Sequence, residues 1–272
     1  MTQVYPDASE LYLDLLKKCL TRCIFETIYR PISPRKATLP IRKLAAYFDI
    51  ELVKCVDPST RAEGRDWPTD GETMIGLQRL DNLQYCVTDV LRRGIPGDFI
   101  ETGVWRGGAT ILMRAVLKAY GDTERTVWVA DSFQGCPKPD PARYHADAGD
   151  RHWTFTPLIV SPEEVKANFA RYGLLDDQVR FLVGWFRDTL PTAPIERLAV
   201  LRLDGDMYES TMDALRHLYP KLSIGGYVII DDYALRGCKA AVEDFRTQHG
   251  ITEERNPVDR LPASGVFWRK LR

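Results

Sequence analysis

Apolar residues recur at helical spacing from residue 11 to about residue 28 (Leu11, Leu15, Leu16, Leu20, Ile24, Ile28), which predicts one amphipathic helix. Pro31 and Pro34 end it. Residues 30–72 mix Pro, Gly and charge, with a short helical piece at 44–48. A second helical period spans 73–93, carrying Met74, Leu77, Leu80, Leu83, Val87 and Leu91 on one side, and Gly94 closes it. Beyond Gly94 the pattern alternates. Short apolar runs at 98–104, 126–133, 179–185, 198–206, 226–232 and 265–270 read as strands. Helical periods at 109–120, 162–172, 210–222 and 238–249 separate them. Such alternation predicts an α/β fold, a doubly wound and mostly parallel sheet with helices on both faces. Ligands of such sheets sit beyond the carboxyl ends of the strands, so residues there are the functional candidates.

The chain divides into an N-terminal helical arm at 1–94 and an α/β domain at 95–272. One stretch breaks the rhythm of that domain: residues 136–160 are rich in Pro, Asp and aromatics and stand between a strand and its helix. A loop of that length inside a compact domain reads as a lid.

Composition narrows the function. With 272 residues, 44% of them hydrophobic, the chain can bury one good core. A formal net charge of −1 leaves no cationic surplus for phosphates, which argues against nucleic acid as a partner. No apolar run approaches the ~20 residues of a bilayer span, so no membrane partner is expected. Thr2, Gln3, Tyr5, Pro6 and Asp7 lack the basic start and apolar core of a signal peptide, so a cytoplasmic location is expected. The six cysteines form no C-x-x-C pair, and Cys19 and Cys23, four apart, read as small buried hydrophobes on one helix face.

The first strand runs into Glu101-Thr102-Gly103-Val104-Trp105-Arg106-Gly107-Gly108. The G-x-x-x-G-G spacing departs from the G-x-G-x-x-G that seats a pyrophosphate. Glu101 would repel a diphosphate but accepts hydrogen bonds from a cationic α-amino group, which favours S-adenosylmethionine over NAD. Asp131, about 28 residues past the first glycine, ends the second strand and could take both ribose hydroxyls; capping a turn beside Ser132 is the plainer role. Gly184, Trp185 and Phe186 follow the third strand, where the two rings could flank an adenine or simply fill the core.

The fourth strand ends in Asp204-Gly205-Asp206 and the fifth in Asp231-Asp232. Four carboxylates on adjacent strand ends repel one another without a counter-charge, and hard oxygen ligands call for a hard cation, Mg²⁺ by default. Asp204 and Asp206, two apart, share a direction if the strand end is extended. One would then hold the metal and the other face a substrate hydroxyl. Capping roles at Asp206, Ser210 and Asp232 are the plainer alternative.

The chain resembles the macrocin O-methyltransferase family in LYLDLLKK, TMIGLQRLDNLQYCV, GDFIETGVWRGGA, TVWVADSFQG, YGLLDDQVRFL, GWFRDT, LRLDGD and IIDDY, which together reach over nearly its whole length. The resemblance implies a class I, Rossmann-like methyltransferase that moves a methyl group from S-adenosylmethionine to a sugar hydroxyl of a macrolide or related antibiotic. It puts metal ligands on Asp204, Asp231 and Asp232, and the base on Asp206. The cofactor site falls on Glu101, Thr102, Gly103, Asp131, Ser132 and Gly184 to Phe186. Met74, Trp153 and Tyr208 are candidates for contact with a glycoside acceptor. The resemblance and the apolar faces of the two N-terminal helices imply a homo-oligomer joined through the arm. Catechol-type methyltransferases are more distant relatives that commonly carry Lys shortly after the first metal acid, where this chain has Met207. Three alternatives stand beside the sugar reading: a catechol acceptor, a NAD-linked dehydrogenase, and a scaffold that binds the cofactor without catalysis. The missing G-x-G-x-x-G opposes the second, and the full acidic set opposes the third.

Overall fold

The computed structural model describes residues 7–32, 39–260 and 264–272. Thr2, Gln3, Tyr5, Pro6 and the helix-ending Pro34 lie outside them. Seven strands form the main sheet: β3 (Asp98–Thr102), β4 (Val127–Asp131), β5 (Val179–Val183), β6 (Leu198–Leu203), β7 (Leu222–Ile230), β8 (Asn256–Pro257) and β9 (Val266–Arg269). Their order is β5-β4-β3-β6-β7-β9-β8, parallel from β5 to β7 and antiparallel through β9 and β8. The chain builds outward from β3 to β5, then crosses back to place β6 on the other side of β3. That reversal opens a crevice at the carboxyl ends of β3 and β6, where ligands of doubly wound sheets bind.

Alternation along each strand sends side chains to two separate cores. Phe99, Val127, Val129, Val200 and Ile229 pack on α1 (Ala8–Thr21), α4 (Leu77–Arg92), α5 (Gly108–Ala119) and α6 (Pro162–Arg171). Ile100, Ala130, Leu201, Val228 and Ile230 pack on α8 (Tyr208–Leu218) and α9 (Arg236–Gln248). Each fully buried Val, Leu, Ile or Phe contributes about 1.5–3 kcal/mol of transfer free energy, so the period-2 pattern determines which face each helix covers.

The N-terminal helix is shorter than its apolar period. It stops at Thr21 because Arg22 turns left-handed at φ 62, and tertiary donors take the last carbonyls: Glu72 N–H binds Leu20 O at 3.0 Å and Arg61 Nη1 binds Thr21 O at 3.1 Å. Cys23 therefore lies off the helix, and Ile28 opens β1 (Ile28–Pro31), which pairs antiparallel with β2 (Val53–Val56). The helix expected at 44–48 spans α2 (Leu39–Tyr47) instead, and a short α3 (Pro58–Ala62) follows β2. The helix expected at 73–93 begins only at Leu77, because Gly76 packs too close to the Ala62–Gly64 backbone for any side chain. Thr73, Met74 and Ile75 form a bent lead-in that faces the crevice. Gly94 closes α4 at φ +62. At the other edge, β7 starts at Leu222, four residues before the expected strand, and α8 starts at Tyr208, two before the expected helix.

Candidate active site at the carboxyl edge of the sheet

The turn after β3 is built by left-handed residues: Gly103 at φ +85, Trp105 at φ +48 and Gly107 at φ +86. Only glycine fits at 103, since a Cβ there would overlap the carbonyl oxygen of Asp204. The glycine turn and the acidic turn thus touch backbone to backbone. Glu101 is 2% exposed; its Oε1 accepts from Arg202 Nη1, and its Oε2 is buried without a partner. Burial pushes its carboxyl up to about 8; Arg202 opposes the shift, and Asp204 and Asp231 add to it. The Thr102 hydroxyl behind it is also buried and unpartnered.

Asp131 plays the capping role. Its Oδ2 accepts from Val104 N–H at 2.8 Å and its Oδ1 from Phe133 N–H at 2.7 Å, which pins the glycine turn to the end of β4. Asp131 still faces the cavity. Ser132 is occupied: its hydroxyl donates to Gly135 O at 2.7 Å and accepts from Gln134 N–H at 2.9 Å. Gly184, at φ +139, turns the chain so that Trp185 and Phe186, at the start of α7 (Phe186–Thr189), line the cavity opposite Glu101.

At the acidic edge the extended-strand expectation fails. β6 ends at Leu203, and Asp206 is left-handed at φ +57, so Asp204 and Asp206 are not equivalent positions of one strand. The turn is held by Asp206 N–H on Asp232 Oδ2 at 3.0 Å and by Met207 N–H on Gly205 O at 2.5 Å. Asp206 does not cap α8. Asp204, Asp231 and Asp232 each offer an oxygen, and these lie within 4.8 Å of one another.

The counter-charge expected from a metal is partly supplied by the protein. Arg202, buried on β6 in register with Glu101, donates to Asp204 Oδ2 at 2.8 Å and Asp231 Oδ1 at 2.5 Å as well as to Glu101. Arg79 of α4 holds Asp231 Oδ2 at 2.5 Å and Asp259 Oδ2 at 2.7 Å. The acids still exceed the cations. Burial first, then neighbouring carboxylates, raises Asp232 well above the usual range, raises Asp204, and pushes Asp206 up to about 6. Asp204 and Asp232 face each other closely enough for each to raise the cost of charging the other.

These residues surround a cavity of roughly 360 Å³. Met74 lines it, whereas Trp153 and Tyr208 do not. The Trp153 ring carries the Lys138 ammonium 5.5 Å from its centroid, and Tyr208 donates its hydroxyl to Asp244 at 3.0 Å. Sequence reasoning missed Trp67 and Arg79, which line the cavity, and Arg202 beneath it; His152, in the segment read as a lid, lines the cavity as well. Arg202 alone left a signal: a lone guanidinium inside a buried apolar strand needs acids around it. The 136–160 segment forms the outer wall in three short 3-10 turns, His145–Asp147, His152–Thr154 and Thr156–Leu158. Trp105 donates to Pro157 O at 2.9 Å, and Phe155 meets Trp67 edge-on at 5.8 Å.

A family model described as macrocin-O-methyltransferase (TylF) matches residues 9–270. The chain belongs to the macrocin-O-methyltransferase family. As a member it is an O-methyltransferase with the class I, Rossmann-like methyltransferase fold, which replaces the dehydrogenase alternative. It is 53% identical to 8-demethyl-8-(2,3-dimethoxy-alpha-L-rhamnosyl)-tetracenomycin-C 4'-O-methyltransferase of Streptomyces olivaceus, over 97% of this chain and 94% of that one. Mycinamicin III 3''-O-methyltransferase of Micromonospora griseorubida is 49% identical, with 96% of both chains covered. The solved O-methyltransferase NovP superposes with a TM-score of 0.84 at 48% identity, covering 97% of this chain and 100% of that one. Among the described residues, no helix is long and apolar enough to cross a membrane.

Proposed function

We propose that this chain transfers a methyl group from S-adenosylmethionine to a sugar hydroxyl of a glycosylated natural product, with help from a divalent cation, Mg²⁺ by default. The observation that carries the reading is one cavity with two unmet electrostatic demands. Glu101 Oε2 is buried without a partner, and across the Arg202 guanidinium from it three acids converge within 4.8 Å. An α-ammonium fits the first, and a hard cation among the three acids fits the second. The relatives support the acceptor class, since the tetracenomycin enzyme is named for a rhamnosyl group and for its 4′ oxygen.

S-adenosylmethionine supplies an electrophilic methyl on a sulfonium, which leaves as a thioether when the acceptor oxygen attacks. A divalent cation on Asp204, Asp231 and Asp232 supplies positive charge that makes a bound hydroxyl more acidic. The remaining work belongs to side chains. Asp206 takes the hydroxyl proton on its carboxylate, whose Oδ2 is held by the Cys136 thiol at 3.3 Å. Asp131 pins the glycine turn, and Trp185 and Phe186 give an apolar flank for the adenine. Met74 and the 136–160 segment enclose the acceptor and exclude water. Met207 is buried, so no side chain there takes the place of a catechol-type lysine.

A glycoside screen with S-adenosylmethionine, read by mass spectrometry before and after chelation, tests the reading. Turnover should require the cofactor and collapse with EDTA. Asp204→Ala, Asp231→Ala and Asp232→Ala should weaken cation binding. Asp206→Asn should keep cofactor and cation affinity while kcat falls roughly 10²- to 10⁴-fold. Full turnover after chelation, or loss of cation binding in Asp206→Asn, refutes the assigned roles.

A further inference from the structure

Asp147 stands in the middle of the 136–160 segment and yet is 2% exposed. Its carboxylate reaches under the segment to the start of α8. Tyr208 N–H donates to Oδ1 at 2.7 Å, and Glu209 N–H donates to Oδ2 at 3.0 Å. A helix leaves its first amides without internal partners, and an N-cap Ser, Thr, Asp or Asn normally takes one of them. Here the N-cap is Met207, which caps nothing and is fully buried. The capping has passed to a residue 61 positions earlier in the chain.

Two further contacts show a fitted seat. Gly237, in the first turn of α9, leaves room for the carboxylate: a Cβ there would lie 2.6 Å from Asp147 Oδ1. The Tyr144 ring packs on the Tyr208 ring at 5.6 Å. The two capped amides directly follow the turn that carries Asp206. A non-glycine residue at φ +57 is disfavoured and persists only where its surroundings impose it. Asp232 holds that turn on one side, through the Asp206 amide. Asp147 holds it on the other, through the helix that follows. The same segment brings the Cys136 thiol onto Asp206 Oδ2, and sets His152 in the cavity wall with its ring Nδ1 2.8 Å from Asp150 Oδ2.

We propose that Asp147 is a positioning residue which ties the seating of the 136–160 segment to the left-handed turn that aims Asp206. This rests on the reading of Asp206 as the base. When the segment is seated, α8 is capped and the Asp206 turn is locked. When the segment lifts, the first amides of α8 lose both acceptors and the turn relaxes. The base is therefore aimed only while the cavity is covered. A cap at position 207 itself would have held the helix without this linkage.

Three variants test it. Asp147→Ala removes both acceptors, Asp147→Asn keeps one, and Gly237→Ala crowds the carboxylate while leaving it in place. Each is measured for kcat and KM with the acceptor, for S-adenosylmethionine affinity by calorimetry, and for hydrogen exchange over residues 204–212 and 136–160. In the unaltered protein, acceptor should slow exchange in both stretches together. In Asp147→Ala and Gly237→Ala, exchange over 204–212 should be faster and should no longer follow the segment. There kcat should fall by roughly ten- to a hundredfold, with less effect in Asp147→Asn and cofactor affinity kept. A plain staple would raise KM alone. A kcat within about twofold of the unaltered protein in the folded variants, or unchanged exchange over 204–212, overturns the proposal. If Asp147→Ala does not fold, the other two variants decide the same question. Failure of the base assignment would appear separately, as full kcat in Asp206→Asn, and would leave the exchange readout to decide the linkage.

Discussion

Replacing Arg202 by Met removes the charge that three acids share. Arg202 is 2% exposed and bonds Glu101, Asp204 and Asp231, the last of which it shares with Arg79. Met fills most of the volume, so the cost is electrostatic. Removing one partner of a buried ion pair costs about 3–5 kcal/mol. With a urea m-value of about 2–3 kcal/mol/M, the unfolding midpoint of the EDTA-treated protein should fall by roughly 1–2 M. The loss should depend on pH. Glu101 and Asp204 titrate higher in the folded than in the unfolded state, and more so without Arg202, so the folded variant binds extra protons and gains stability as pH falls. The penalty should therefore be smaller near about pH 5 than near about pH 8. Excess Mg²⁺ should recover part of it, about 2.7 kcal/mol at a hundred times Kd. A loss below about 1 kcal/mol, or one that is flat with pH, would mean that the acids are neutral in the folded protein and that Arg202 is not their counter-charge.

The unaltered, chelated protein should itself lose stability as pH rises. Glu101 moves from 4.5 to about 8 on folding and Asp206 from 3.8 to about 6, so the loss spans about pH 4 to 8 and then levels off; urea midpoints that climb across that window contradict it. Met74→Ala should raise KM for the acceptor by roughly tenfold, and Trp153→Ala by much less, because only Met74 faces the cavity. Equal KM effects would return Trp153 to the site. On assembly, α1 buries Leu13, Leu16 and Leu20 within its own molecule, but Ile24, Phe25, Ile41, Leu44, Tyr47 and Phe48 remain exposed. A dimer through this surface should give about twice 31.0 kDa by light scattering, and Leu44→Ser with Phe48→Ser should return it to monomer mass; a monomer from the start refutes it.

The sheet was legible because period-2 apolar runs and Gly-rich turns are local signals, and all six expected strands are present with ends shifted by a few residues. The N-terminal third was less so. There a continuous apolar period crosses the end of α1, and what stops the helix is Glu72 and Arg61, some 40 to 50 positions away. In the site, strand-end acids announced themselves by position. Asp206's left-handed turn did not, because it depends on Asp232 and on a cap from another segment. Trp67 was equally hidden: nothing in its neighbours shows that its loop folds over the carboxyl edge.

The close approach of Gly103 to the carbonyl of Asp204 has a consequence for how such enzymes diversify. With no gap between the two turns, neither can change length or gain bulk without displacing the other, so they can only be inherited together. The opposite wall, made by Trp67, Met74 and the outer residues His152 and Leu158 of the 136–160 segment, is free of that constraint. New acceptors can be accommodated there one residue at a time while the chemistry stays fixed. A mutant library seeking a different glycoside should therefore vary Trp67, Met74 and 152–158, and leave 101–108, 204–206, Cys136 and Asp147 untouched.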